Sequence, residues 1–191
     1  MTKKTIVSIG IDLGLTMTGV CILKNNRVVH WFTRSNTDTK IHIGSRVRLL
    51  VKETIDEINS YIKKKKITHV HVVVLETPYF NRINAKSYAF QSRLLQEFSS
   101  IIVSSLECSS LLEVTPTEIK ALFGKAHANK KELKPKVLEK ISFPSSFHKL
   151  LDNLELQKPV DKLKTTNTVE AIIDAAAIAY YGKWYLEGNN A

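Results

Sequence analysis

Apolar positions fall into two rhythms along this chain. Residues 5–13 and 18–24 are short apolar runs broken around Gly14 and Gly19, and they predict two strands. "NN" at 25–26 is a turn signal. "RVVHWF" then predicts a third strand, so the chain opens as an antiparallel meander. "SRVRLLVKETIDEINSYI" has apolar residues at helical spacing and ends in "KKKK", a fitting helix C-terminus. "ITHVHVVVLE" is a β-branched run of the kind buried on both faces. Its two histidines, His69 and His71, have no metal-ligating partner nearby in sequence and read as structural. A helix is expected over 84–106, a strand at "SSLLEVT", a short helix from Pro116 towards Gly124, and a lysine-rich helix from Asn129 to Lys140. Residues 142–167, with their prolines and mixed polar residues, read as a long loop or insertion. "TVEAIIDAAAIAYYGKWYL" predicts a final helix. The order β-β-β-α-β-α-β-α-α predicts an α/β fold, one mixed five-stranded sheet with helices on its faces. A length of 191 residues favours a single domain spanning 1–191.

Composition sharpens the picture. The chain is 43% hydrophobic and carries a formal net charge of +10, with a pI near 9.6. A basic globular chain most often meets a polyanion, and nucleic acid is the commonest. Cys21 and Cys108 lack metal-ligand spacing, which points to a reducing compartment without a structural disulfide. "MTKK" runs straight into a strand, so no signal peptide is expected; with no apolar run long enough for a bilayer, the expectation is a cytoplasmic protein and no membrane partner.

Four acids then stand out. Asp12 closes the first strand's run and Glu76 closes the fourth's. If those strands are neighbours, both carboxylates emerge at one sheet edge. Glu170 and Asp174 are four apart on the last helix and share a face with Thr166 and Ala177. Each has a plainer alternative: Asp12 as a cap of the turn at Gly14, Glu76 as a solvated strand end, Glu170 as a complement to a helix N-terminus. Asp174, among "AIIDAAAIA", resists one. Together they form a like-charge cluster that needs cations. Hard oxygen donors suit Mg²⁺ or Mn²⁺ rather than zinc. Paired divalent ions serve phosphodiester hydrolysis by activating water and stabilising the leaving oxygen.

"IDLGLTMTGV" resembles the first phosphate loop of actin-like and sugar-kinase ATP-binding proteins, but that match stops there. A longer match, from about Ile6 to Tyr181 and leaving out 142–167, is to the RuvC family of Holliday-junction resolvases, whose fold is ribonuclease H-like. It rests on Asp12, Gly14, Thr18 and Gly19, on "ETPYFNRINAKSYAFQSRLL", on "TPTEIKALFGKAHANKKEL" and on "DAAAIA". The resemblance implies a Mg²⁺-dependent homodimer that binds four-way or other branched DNA and nicks paired strands, leaving 5′-phosphate and 3′-hydroxyl ends. It assigns metal ligation to Asp12, Glu76 and Asp174; Glu170, one residue off the family position, is the fourth ligand by reach rather than by match. It assigns base stacking to Tyr79 and charge neutralisation at the cleaved phosphate to Lys120 and Lys130. Beside these, Phe80 stacks on a base or packs on the following helix, Arg82, Asn84 and Lys86 contact phosphate or are solvated loop residues, and Lys131 joins Lys130 on the phosphates or the two are an ordinary exposed pair. The family usually spaces its last two metal-binding residues three apart; that position here is Ala171, so Glu170 departs from the pattern. The departure and the 142–167 region mark a divergent member of phage or viral type. A catalytically silent branched-DNA binding module is the alternative.

Overall fold

The computed structural model describes residues 5–14, 16–78, 85–124, 126, 129–156 and 159–188, without side-chain detail at 86, 130, 155–156 and 159–164. Three antiparallel strands come first: β1 (Val7–Asp12), β2 (Thr18–Lys24) and β3 (Arg27–Arg34). Helix α1 (Ile43–Lys64) leads to β4 (Val72–Glu76), α2 (Ala85–Ser105) to β5 (Leu111–Val114). Four helices follow: α3 (Pro116–Leu122), α4 (Lys130–Lys140), α5 (Ser145–Leu156) and α6 (Pro159–Gly188). The sheet order is β3-β2-β1-β4-β5, with β4 parallel to both β1 and β5.

Side chains alternate across this sheet, and each face has its own core. Ile9, Ile11, Val73 and Leu75 point to one face and pack on Leu50, Val51 and Ile58 of α1 and Leu94, Phe98 and Ile102 of α2. Cys21, Leu23, Val72 and Val74 point to the other, under residues of α3 to α6 such as Ile119, Val137, Phe147 and Ile172. Cover on both faces is why "VVVLE" carries no polar alternation. Among the described residues no helix is long and apolar enough to cross a membrane.

Two expectations are corrected. The 142–167 segment is largely helical: α5 occupies Ser145–Leu156, and α6 begins at Pro159. Its prolines misled, because Pro144 immediately precedes α5 and Pro159 opens α6, positions where a missing N–H costs no helical bond. Phe147 shows what α5 contributes. It is fully buried, stacked on Phe143 at 4.4 Å and edge-on to Trp31 at 5.9 Å. The fourth strand is also shorter than its apolar run. The ladder with β1 begins at Ser8 opposite Val72; just ahead of it the His71 N–H donates to the Val7 carbonyl at 2.9 Å, and further back Val70 bridges Cys108.

Candidate active site

Strand register sets the site's first two carboxylates. β1 and β4 run parallel with Ile11 opposite Leu75, so the next residues, Asp12 and Glu76, leave the sheet side by side. The turn after Asp12 is tight: a Cβ on Gly14 would lie 2.3 Å from the Met17 carbonyl oxygen, and the Thr18 hydroxyl donates to the Gly14 carbonyl at 2.7 Å. Asp12 itself pairs with Gly19 across β1 and β2.

The third carboxylate comes from α6, which crosses this end of the sheet. Asp174 is half-buried between the buried residues Ile173 and Ala175. Asp12, Glu76 and Asp174 line one cavity of about 180 Å³, together with Lys120 of α3. Pro116, Ile119, Leu133 and Ile178 supply its apolar wall. Glu170 sits one turn earlier on α6. It lines an adjoining cavity of about 200 Å³ with Lys131, Lys134 and Thr166, and Asp174 and Leu133 line both. Glu170 lies about three turns inside α6 rather than at its N-terminus, so a helix-end role is excluded. None of the four carboxylates is without a partner.

The structure thus gathers Asp12, Glu76, Asp174 and Lys120 and sets Glu170 and Lys131 next door. Tyr79, Phe80, Arg82 and Asn84 lie outside the described residues. Lys86 is on α2 and Lys130 opens α4, but their side chains are not described. Lys134 was missed. Its signal was the Lys131–Lys134 spacing, which places both lysines on one helical face.

Carboxylates around a common pocket are hard donors suited to a divalent cation such as Mg²⁺ or Mn²⁺. As placed, no group of three or more His, Cys, Asp or Glu side chains among the described residues is gathered closely enough to hold a metal ion. The donor chemistry therefore fits, while the carboxylates stand around the pocket rather than converged on a point.

Helix α3 aims Lys120, and a capping box starts that helix. Thr115 Oγ1 accepts from the Glu118 N–H at 3.2 Å, and Glu118 Oε2 accepts from the Thr115 N–H at 2.8 Å. At the other end Gly124 takes φ +106°, a conformation glycine adopts without steric cost. The Thr115 hydroxyl, and next its N–H, hold the Glu118 carboxyl below its ordinary value of 4.5. Thr115→Ala is expected to cost about 1 kcal/mol in urea unfolding at neutral pH. A carboxyl with a depressed folded pKa adds stability above its unfolded value and loses it as pH falls through the folded one. The gap between wild type and Thr115→Ala should therefore narrow below pH 4.5. A gap independent of pH would show that the box does not act through Glu118.

No family model matches the chain, and no curated protein is significantly similar to it in sequence. Solved structures place its fold. It is the fold of the RuvC Holliday junction resolvases, a ribonuclease H-like α/β architecture. Thermus thermophilus RuvC matches with a TM-score of 0.66 at 19% identity, over 96% of this chain and 97% of that one. The same protein in complex with a Holliday junction substrate matches with 0.66 at 17%, over 97% and 98%. The yeast mitochondrial Holliday junction resolvase Ydc2 matches with 0.62 at 15%, over 99% of this chain and 83% of its own.

Proposed function

We propose that this chain is a metal-dependent, structure-selective DNA endonuclease that resolves four-way junctions, working as a homodimer in which each subunit nicks one strand. One observation carries the reading: Asp12, Glu76 and Asp174 meet around a single pocket with Lys120 on its wall. Two further facts support it. The fold is shared with T. thermophilus RuvC and Ydc2, and the net charge of +10 suits a nucleic-acid backbone.

In this reading Asp12, Glu76 and Asp174 hold divalent cations, with Glu170 the accessory carboxylate one turn away. Bound Mg²⁺ or Mn²⁺ would supply water activation and stabilisation of the leaving oxygen. Lys120 neutralises charge that builds on the scissile phosphate. Lys130, Lys131 and Lys134, all on α4, hold the strand that runs past the pocket. Tyr79 and Phe80 stack on bases opened at the junction, and Arg82, Asn84 and Lys86 hold its phosphates.

The test uses an end-labelled immobile four-way junction and a matched linear duplex, with Mg²⁺, Mn²⁺ or EDTA. Paired nicks are expected in the junction alone and only with metal, and ligase should reseal them. Tight junction binding without product in either metal, across several junction sequences, would make the protein a branched-DNA binding module instead.

A further inference from the structure

A cavity of about 620 Å³ lies at the far end of the sheet from the acids. Its wall includes Lys24, Arg27, Lys65, Lys66, His69 and His71, and no Asp or Glu among the described residues lines it. Three separate parts of the chain bring these cations together. Lys24 and Arg27 flank the β2–β3 turn, Lys65 and Lys66 follow α1, and the histidines precede β4.

The groove is built rather than improvised by loose lysines. Asn25, at φ 56°, donates its N–H to the Ile6 carbonyl at 2.8 Å and accepts from the Ile6 N–H through Oδ1 at 2.9 Å. Lys66, at φ 51°, reverses the chain after α1, and the Ile67 N–H returns to the Ile62 carbonyl at 3.0 Å. His71 Nδ1 accepts from the Val7 N–H at 3.2 Å, and His69 meets Ser109 Oγ at 2.6 Å. The two imidazoles touch edge to face at 4.7 Å. Both line one groove, because residues two apart on an extended segment share a face.

We propose that this groove is a second nucleic-acid contact, which holds the backbone phosphates of a duplex arm away from the acidic pocket. The nuclease reading above supplies only the identity of the polyanion. Lysines after a helix C-terminus complement its carbonyls, and that alone would account for Lys63 to Lys66. It does not account for Lys24 and Arg27, which arrive from a different hairpin and face the same space. Helix α1 presents its C-terminus here, Pro144 just ahead of α5 borders the groove, and no glycine among the described residues lines it. The cations from Lys24, Arg27, Lys65 and Lys66 are separated point charges, the pattern that suits a polyphosphate backbone. Lysine ammonium groups bind phosphate as point charges, and Arg27, the one arginine among the described lining residues, adds a fork that suits a phosphate oxygen pair. β1 runs from the groove at Val7 to Asp12, about 17 Å at strand rise. The arm held here is then a different stretch of DNA from the strand at the acids.

The test compares wild type with a Lys24→Gln/Lys65→Gln/Lys66→Gln variant and a Lys24→Arg/Lys65→Arg/Lys66→Arg variant. Affinity for a long-armed junction and for its linear duplex is measured over a salt series. The glutamine variant should bind at least about tenfold more weakly, with a log–log salt slope shallower by about 2 to 3. The arginine variant should keep both values. An unchanged affinity and slope in the glutamine variant would overturn the proposal, as would equal losses in the two variants or no DNA binding by wild type. A polyglutamate peptide held by wild type but not by the glutamine variant, with DNA affinity unaltered, would assign the groove to an acidic protein and overturn it too. Junction cleavage, scored on the same samples, keeps the questions apart. Wild type that binds but never cuts sinks the nuclease reading and leaves the groove standing.

Discussion

Asp12→Asn is expected to lower junction cleavage by about 10³-fold, the scale of losing one electrostatic contact to a phosphoryl transition state. The fold should survive. Asparagine keeps the shape of the side chain, and the substitution removes one of three like charges around the pocket. Unfolding stability without metal should stay level or rise, and junction binding in EDTA should stay level or tighten. A cation that binds only the folded state raises its stability by about 2.7 kcal/mol at a hundred times its Kd. Wild type should therefore melt higher in Mg²⁺, and Asp12→Asn should lose that increment. Asp174→Asn should behave in the same way, since Asp174 closes the same pocket. Glu170→Gln tests the geometry. It lines the neighbouring cavity, so its loss should stay near tenfold, the lower end for a supporting contact to a metal site. Full cleavage by Asp12→Asn would end the pocket assignment. A Glu170→Gln loss as deep as that of Asp174→Asn would mean that the two cavities work as one.

Much of this arrangement was readable in the chain. β-branched density between a lysine cap and "ETP" marked a strand buried on both sides, and turn residues at 25–26 joined two of the three antiparallel strands. Asp12 and Glu76 were readable because each ends an apolar run, and parallel neighbours bring such ends together. Asp174 was readable because a carboxylate amid alanines and isoleucines has no bland use. Other features depend on contacts between distant segments. Phe147 buries itself against Trp31, more than a hundred residues earlier, and nothing local in "SSFHKLLDNLEL" reveals that surface. Prolines at helix starts and in loops look the same until the helix is seen. Helical spacing put Glu170 on the face of Asp174, but the advance along the axis between them, about 6 Å, carried it into the next cavity. The basic groove draws on three segments, and "KKKK" alone gave no hint that Lys24 and Arg27 would join two of its lysines.

Gly10→Ala should be among the most damaging single-methyl changes. Helix α6 rests directly on the sheet through small residues. A Cβ built on Gly10 would lie 2.1 Å from the Ala175 carbonyl oxygen and 2.3 Å from the Ala179 nitrogen. One on Gly19 would lie 2.3 Å from the Ala171 carbonyl oxygen. These neighbours are helix backbone, which cannot swing aside as a side chain would, so α6 must lift or tilt. Overpacking of a dense core usually costs about 1–3 kcal/mol, and a rigid neighbour puts this case at about 3 or above. At this length that corresponds to a fall in Tm of about 6–12 °C. Asp174 is the residue before Ala175, so lifting α6 also draws it away from Asp12 and Glu76. A 1 Å misplacement is enough for about a hundredfold loss of rate, and cleavage should drop by that much even where the variant remains folded. Gly188→Ala is the contrast: among the described residues nothing lies within 4 Å of its added Cβ, and alanine suits a helix better, so Tm should hold or rise. If Gly10→Ala melted and cut like wild type, α6 could not lie against β1 at this distance, and the shared pocket of Asp12 and Asp174 would fall with that contact.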